Sequence, residues 1–217
     1  MRAMKAARTP VPDTRVSNAQ DSAPRLGLRE RKKIKTRQAI RGAAYRLIKE
    51  RGYEATTVEL IAEAAEFSMS TVFRYFPTKE DIVLTDEYDP MIESALRARP
   101  ADESLVESMR QVMRQSFAAV IADDYDELVI RSTLMNEVPA VRSRMTEGMT
   151  ATGRILCDVI ADRLGRDPEE LEIRSVTMGL IGALTETVLY WAQHGHKDDL
   201  ADLVDRVLAP FSRGFEL

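Results

Sequence analysis

Cysteine is almost missing from this chain. Cys157 is the only one in 217 residues, so no intrachain disulfide can form, and a reduced, cytoplasmic setting is expected. No run approaches 18 consecutive apolar residues, which argues against a membrane-spanning helix. The polar, Pro-containing start MRAMKAARTPVPDTRVSNAQ lacks the apolar core of a signal peptide. Asn-Gly and Asp-Gly pairs and sustained apolar/polar alternation are lacking too, which removes the usual signals of β-hairpins. Equally missing are a Gly-rich phosphate loop, a nucleophile elbow and Cys/His metal spacing. An enzyme with a diffuse helical active site, or a protein-adaptor module, would fit these absences, but both leave unexplained the features described next. No cofactor and no metal site are expected.

What the chain does have is a division of charge that its net −4 conceals. Residues 1–81 carry 17 Lys+Arg against 10 Asp+Glu, a balance of +7, while residues 82–217 carry 14 against 25, a balance of −11. A basic N-terminal part on an acidic body is the footprint of polyanion binding at one end. Residues 1–27 contain Pro10, Pro12, Pro24 and Gly27 and no apolar period. They read as a disordered basic arm, either touching phosphates or serving as no more than a solvated tail.

From Leu28 onward the pattern is helical, and the fold class is all-α. A first helix over about 29–51 buries Ile40, Ala44, Leu47 and Ile48 on one stripe, and Gly52 suits the left-handed stop after it. A second starts with a capping box of Thr56 and Glu59 and buries Val58, Ile61, Ala62 and Ala65. Ser68 caps a third, in which Val72 and Phe76 face inward while Ser70, Thr71 and Arg74 face out. Pro77 ends it, and Thr78 caps a fourth helix over about 79–98, in which Pro90 predicts a kink or break. Further helices are expected at about 103–122, 125–136, 139–164, 168–194 and 198–213, with Asp167, Pro168 and Glu170 opening the one at 168.

Two short helices behind a basic one form a helix-turn-helix, a brace and a reader for the DNA major groove. Arg29, Arg31, Lys32, Lys33, Lys35, Arg37 and Arg41 crowd the start of the first helix, where cations oppose the helix dipole. Phosphate neutralisation gives a reason to keep them there; a solvated or membrane-surface face is the alternative. Thr71, Tyr75 and Lys79 recur at four-residue steps suited to gripping a phosphate backbone along one edge. Ser70, Arg74 and Met69 then face base edges, with Arg74 suited to guanine and Met69 to a thymine methyl.

The segment from Arg31 to Leu84 resembles the DNA-binding domain of the TetR family of one-component regulators. The resemblance rests on the basic helix into Ile40 and Ala44, on Gly52, Thr56-Thr57-Val58 and Ile61-Ala62-Glu63-Ala64-Ala65. It continues through Ser68, Thr71, Phe73, Tyr75-Phe76-Pro77 and Lys79-Glu80. It implies phosphate contacts at Thr57, Thr71, Tyr75 and Lys79, groove or base positions at Met69, Ser70, Phe73 and Arg74, and a DNA-binding set that also includes Ser68. The usual turn glycine is Glu66 here, followed by Phe67. A left-handed Glu66 would cost about 1 kcal/mol relative to Gly.

The resemblance divides the chain into the arm, a helix-turn-helix domain over 28–80 and an effector-binding and dimerisation domain over 81–217. It implies a ligand-responsive regulator, a repressor that binds a pseudo-palindromic operator on double-stranded DNA as a homodimer; an activator or dual regulator of the same family is the alternative. Pairing is expected through the helices at 168–194 and 198–213, because LEIRSVTMGLIGALTETVLYWA is apolar on more than one side and Gly179, Gly182 and Ala183 permit close approach. A fully buried monomer helix is the competing reading.

A small apolar effector is expected. Met109, Met113 and Phe117 fall on one stripe and Met145 and Met149 on another, which suits an adaptable apolar pocket or a plain core. Met135, Arg142 and Trp191 complete the candidate contacts. Pro139-x-x-Arg142-x-Arg144 is similar to a signature of one TetR-family subgroup with acyl-CoA-like ligands, which implies an effector such as a fatty acyl thioester and an anion partner in Arg142 or Arg144. His194 and His196 form a His-x-His pair that either ligates metal with a third group or caps a helix end. Cys157, on an apolar stripe, reads as core or as a redox sensor.

Overall fold

A computed structural model describes residues 27–85 and 88–213, without the side chains of 88–90; of the arm expected over 1–27, residues 1–26 lie outside the described residues. The described residues form helices and connecting turns, with no strand among them. The helices are α1 (Leu28–Arg51), α2 (Val58–Ala64), α3 (Met69–Tyr75), α4 (Lys79–Leu84), α5 (Tyr88–Arg97), α6 (Leu105–Glu137), α7 (Pro139–Leu164), α8 (Leu171–Gln193) and α9 (Leu200–Ser212).

The first three helices close around Ile40, Ala44, Leu47, Ile61, Ala62, Val72 and Phe76, the inward set that the apolar spacing predicts, together with Ile82 of α4. The body core takes residues from all five later helices: Leu96, Met109, Val112, Met113, Leu156, Val159, Leu180, Ile181, Leu184, Val204 and Leu208. Between the two lies a joint of Ile48, Tyr53, Val83, Leu134 and Val141. The expected domain boundary at 80/81 therefore falls inside α4, which packs on α1 and on α7.

Several local expectations change. The capping box at Thr56 does not form. Thr57 is the N-cap, accepting from the Leu60 amide at 3.3 Å, while Thr56 is fully buried and donates to the Gly52 carbonyl at 2.8 Å. A capping box closes α4 instead, where Thr78 accepts from the Asp81 amide and Asp81 Oδ2 accepts from the Thr78 amide, both at 3.1 Å. The long fourth helix is two helices, broken at Thr85 rather than at Pro90. Pro90 is the third residue of α5, where its missing N–H removes no intrahelical bond. The helices expected at 103–122 and 125–136 are both present and run on without a gap as α6, with non-helical backbone at Asp124 (φ −153°, ψ 47°) at the expected junction. Glu170 accepts from the Asp167 amide at 2.9 Å, but the Asp167 side chain accepts from the Glu169 amide rather than from that of Glu170, so no capping box forms, and α8 begins at Leu171.

The turn between α2 and α3 shows the cost of departing from glycine. The Glu66 amide bonds the Glu63 carbonyl at 3.1 Å and the Phe67 amide bonds the Ala62 carbonyl at 2.9 Å, the paired bonds of a Schellman stop. That stop needs a left-handed residue at position 66, and Glu66 adopts φ +60°. Glu66→Gly should stabilise the folded chain by about 1 kcal/mol, read as a shift of the urea midpoint at unchanged slope.

Candidate nucleic-acid interface and effector cavity

Helix α3 presents two faces. Val72 and Phe76 are 0% and 1% exposed, and Tyr75 packs at the edge of the same core. On the other side Ser70 and Arg74 are exposed, and so are Met69 and Phe73, at 38% and 45%. Two large apolar side chains left in solvent on a seven-residue helix make no contribution to the core. Ser68 holds the helix start, accepting from the Thr71 amide at 3.2 Å while its hydroxyl pairs with those of Ser70 and Thr71 at 3.0 and 2.9 Å. The Arg74 guanidinium lies 5.3 Å from the centre of the Tyr75 ring, an arrangement that steadies a long cation.

A groove of about 730 Å³ runs between α3 and the start of α1. Arg29, Lys32, Lys33 and Arg37 line one wall and Thr71, Arg74 and Tyr75 the other, with Phe67 and Thr36 between. Arg31 and Lys35 are exposed on the same helix, and Lys33 pairs with Glu30 at 3.6 Å. Two cations of the expected set are committed elsewhere. Arg41 turns away from this face to Glu127 of α6 at 3.1 Å. Lys79 does not continue the α3 edge, because Pro77 and the Thr78 cap start a new helix; its ammonium sits 3.8 Å from the centre of the Tyr53 ring and bonds the Tyr53 carbonyl at 3.0 Å.

The body holds two neighbouring cavities. The first, about 190 Å³, is lined by Ile92, Met109, Met113, Phe117, Ile155, Leu156, Ile181 and Leu184, with Thr152 and Thr185. The second, about 380 Å³, shares Thr152, Ile181 and Thr185 with it and opens beside Met145, Met149, Thr85, Asp81 and Arg144. Five sequence candidates are thus brought to the cavities: Met109, Met113, Phe117, Met145 and Met149. Three are not. Met135 packs in the joint beside Leu134 and Val141. Arg142 is exposed and closes the end of α6, donating to the carbonyls of Met135 and Asn136. Trp191 is 1% exposed, with Val120, Leu128, Leu200 and Leu203 around it and its indole N–H on the Asp198 carbonyl at 2.9 Å. Ile92, Ile155 and Leu184 were not singled out in the sequence. They sit on three helices, and no local spacing links them.

Arg144 Nε donates to Asp81 Oδ1 at 2.7 Å, joining α7 to α4, and this bond raises the Arg144 pKa. A second tie joins α1 to the far limb of α6, through Arg41–Glu127 and through Lys49–Asp126 at 2.5 Å. Burial raises the Glu127 pKa. Cys157 is buried with Ile160, Ala161 and Ile173.

The two histidines diverge. His194 stacks on Tyr190 at 3.8 Å between ring centres, with Nδ1 2.7 Å from the Tyr190 carbonyl. His196, half-buried rather than solvated, sits edge-on to Trp191 at 4.4 Å, its Nε2 3.0 Å from Ser132 Oγ. Among the described residues no group of three or more His, Cys, Asp or Glu is placed to hold a metal ion. Burial lowers the His196 pKa. The unfolded chain therefore takes up a proton near pH 6.5 that the folded chain resists, so stability is full above that pH and falls as pH drops below it. Urea titrations at about pH 5.5 and pH 7.5 should show this loss. His196→Asn, which tolerates the φ of +59° there, should remove much of it.

A basic lead-in helix, a capped two-helix reader and a separate helical body with an apolar cavity define a helix-turn-helix regulator. Comparison with known proteins gives the family. Residues 40–85 match the model for bacterial regulatory proteins of the tetR family, and residues 103–216, more than half of the chain, match the MftR C-terminal domain. The chain belongs to the TetR family of transcriptional regulators. It is 40% identical over 113 residues to the HTH-type transcriptional regulator TcmR of Streptomyces glaucescens, a match spanning 51% of this chain and 48% of that protein. It is 26% identical over 171 residues to the fatty acid metabolism regulator protein of Bacillus subtilis, covering 76% of this chain and 88% of that one. Among solved structures it resembles the transcriptional repressor FadR of Thermus thermophilus in complex with lauroyl-CoA. That likeness has a TM-score of 0.51 at 27% identity and covers 83% of this chain and 95% of the other. The matched families and relatives are regulators, not enzymes.

Proposed function

We propose that the chain is a repressor that binds a pseudo-palindromic operator as a homodimer and leaves it when a small, largely apolar effector enters the body. The observation that carries this is the union of an exposed reader face with a cavity that reaches the linking helix: Asp81 belongs both to α4 and to the cavity wall. In the reader, Arg74 and Ser70 meet base edges, with Met69 and Phe73 against groove methyls. Arg29, Arg31, Lys32, Lys33, Lys35, Thr57, Ser68, Thr71 and Tyr75 fix the position on phosphates. The effector lies along Met109, Met113, Phe117, Met145 and Met149. A fatty acyl thioester is the favoured class, supported by the lauroyl-CoA bound to the Thermus thermophilus relative.

Arg74→Ala should weaken binding to footprinted sites by about 1–3 kcal/mol and relax specificity at one base, whereas Lys35→Ala should weaken all sequences alike and lower the salt slope by about 1. Fluorescence anisotropy across a salt series separates the two. Unchanged affinity in Arg74→Ala would remove it from base reading.

Pairing is assigned to α8 and α9. In the single chain, Leu171 and Met178, seven residues apart on one side of α8, are 75% and 40% exposed. A Cβ added at Gly182 would meet nothing within 4 Å, so the isolated chain accepts a larger residue there. Gly182→Arg should fold normally and sediment as a monomer at micromolar concentration, where the parent sediments as a dimer. A monomeric parent would count against the interface.

A further inference from the structure

The cavity wall contains an ion pair that an apolar ligand alone has no use for. Arg144 and Asp81 line the mouth of the second cavity and bond each other at 2.7 Å across 63 residues of sequence. Their environments differ: the Arg144 side chain is 39% exposed and that of Asp81 10%. Asp81 is fully engaged, with Oδ1 on Arg144 and Oδ2 accepting from the Thr78 amide and hydroxyl. Arg144 is not. Of its five N–H donors, Nε serves Asp81 and Nη1 reaches Glu147 at 2.7 Å, a residue 62% exposed that does not line the cavity. An incoming ligand therefore meets a guanidinium with donors to spare, in front of a sheltered carboxylate whose oxygens are taken. Beyond the mouth, past the shared Thr152 and Thr185, the space becomes apolar.

We propose that Arg144 receives the anionic head group of an amphipathic effector, and that the head group takes Arg144 from Asp81, so that the ligand's charge rather than its bulk opens the tie between α7 and α4. This rests on the effector-responsive reading above and adds the head-group chemistry and the residue that feels it. Losing Arg144 leaves the shielded Asp81 carboxylate without a counter-charge, an unfavourable state that α4 relieves by turning toward water. Because Asp81 also closes the α4 capping box and Ile82 lies in the reader core, α4 cannot turn without moving the reader. Linkage makes the effect reciprocal: DNA that favours the paired state weakens the anion, and the anion weakens DNA.

The test uses the full chain and one tail with different heads: dodecanoate, dodecanoyl-CoA, dodecan-1-ol and dodecylammonium. Binding is measured by calorimetry, and release is read on DNA recovered by footprinting. Dodecanoate or dodecanoyl-CoA should bind several-fold more tightly than the alcohol and release DNA where the alcohol does not; which of the two acts tells a carboxylate from a phosphate-bearing head. Arg144→Gln should erase the preference for the anion. Asp81→Asn, whose amide oxygen still caps Thr78, should bind the anion several-fold more tightly because the competing carboxylate is gone, and should respond less on DNA. Helical circular dichroism confirms that each variant folds. A parent that responds equally to alcohol and anion, or better to dodecylammonium, overturns the proposal and leaves the effector-responsive reading intact. Asp81→Asn with unchanged or weaker anion binding overturns it too. DNA binding indifferent to every dodecyl probe overturns both.

Discussion

A helix of six residues, α4, touches both the core of the reader and the wall of the cavity. Helix α4 is too short to hold itself in water, and its structure comes from what it touches. Consecutive side chains point about 100° apart around a helix, so neighbours serve different partners. Ile82 belongs to the core of the reader, Val83 to the joint with the body, and Asp81 to the ion pair with α7. Even the backbone is claimed, because the Tyr45 hydroxyl of α1 donates to the Val83 carbonyl at 2.7 Å. A helix so committed moves as a unit or not at all.

The reader is assembled at some cost to its own stability. The first turn of α1 carries cations against its dipole, Glu66 occupies a left-handed turn built for glycine, and Met69 and Phe73 stand in solvent. Each is a poor choice for a helix that only has to fold. Together they describe a surface kept for something that lies outside the chain, and the fully buried Val72 and Ile61 beneath it supply the rigidity that such a surface needs.

How far the sequence led depended on distance along the chain. Apolar period placed Ile40, Ile61, Val72 and Phe76 inward, and the missing glycine at 66 marked the turn that is in fact left-handed. Features local in sequence were legible even when one residue out, as with Thr56 and Thr57. Features created by long-range contact were not. Arg41 looked like part of a phosphate-facing run until α6 brought Glu127 to it, 86 residues away. Trp191 and Met135 have the composition of a pocket and the location of a core, and the chamber drew on Ile92, Ile155 and Leu184, which no period groups. Arg142 and Arg144 are two residues apart on one helix and so point to different sides, one to the end of α6 and one to the cavity.

The bend at Asp124 divides α6 unequally in duty. Before it lie Met109, Met113 and Phe117 on the cavity wall; after it lie Asp126 and Glu127, which hold α1. The far limb, from Tyr125 to Glu137, is about 20 Å long at 1.5 Å per residue, so each degree of change in the bend carries its end about 0.3 Å. One long helix is thus a lever with its fulcrum at a single aspartate.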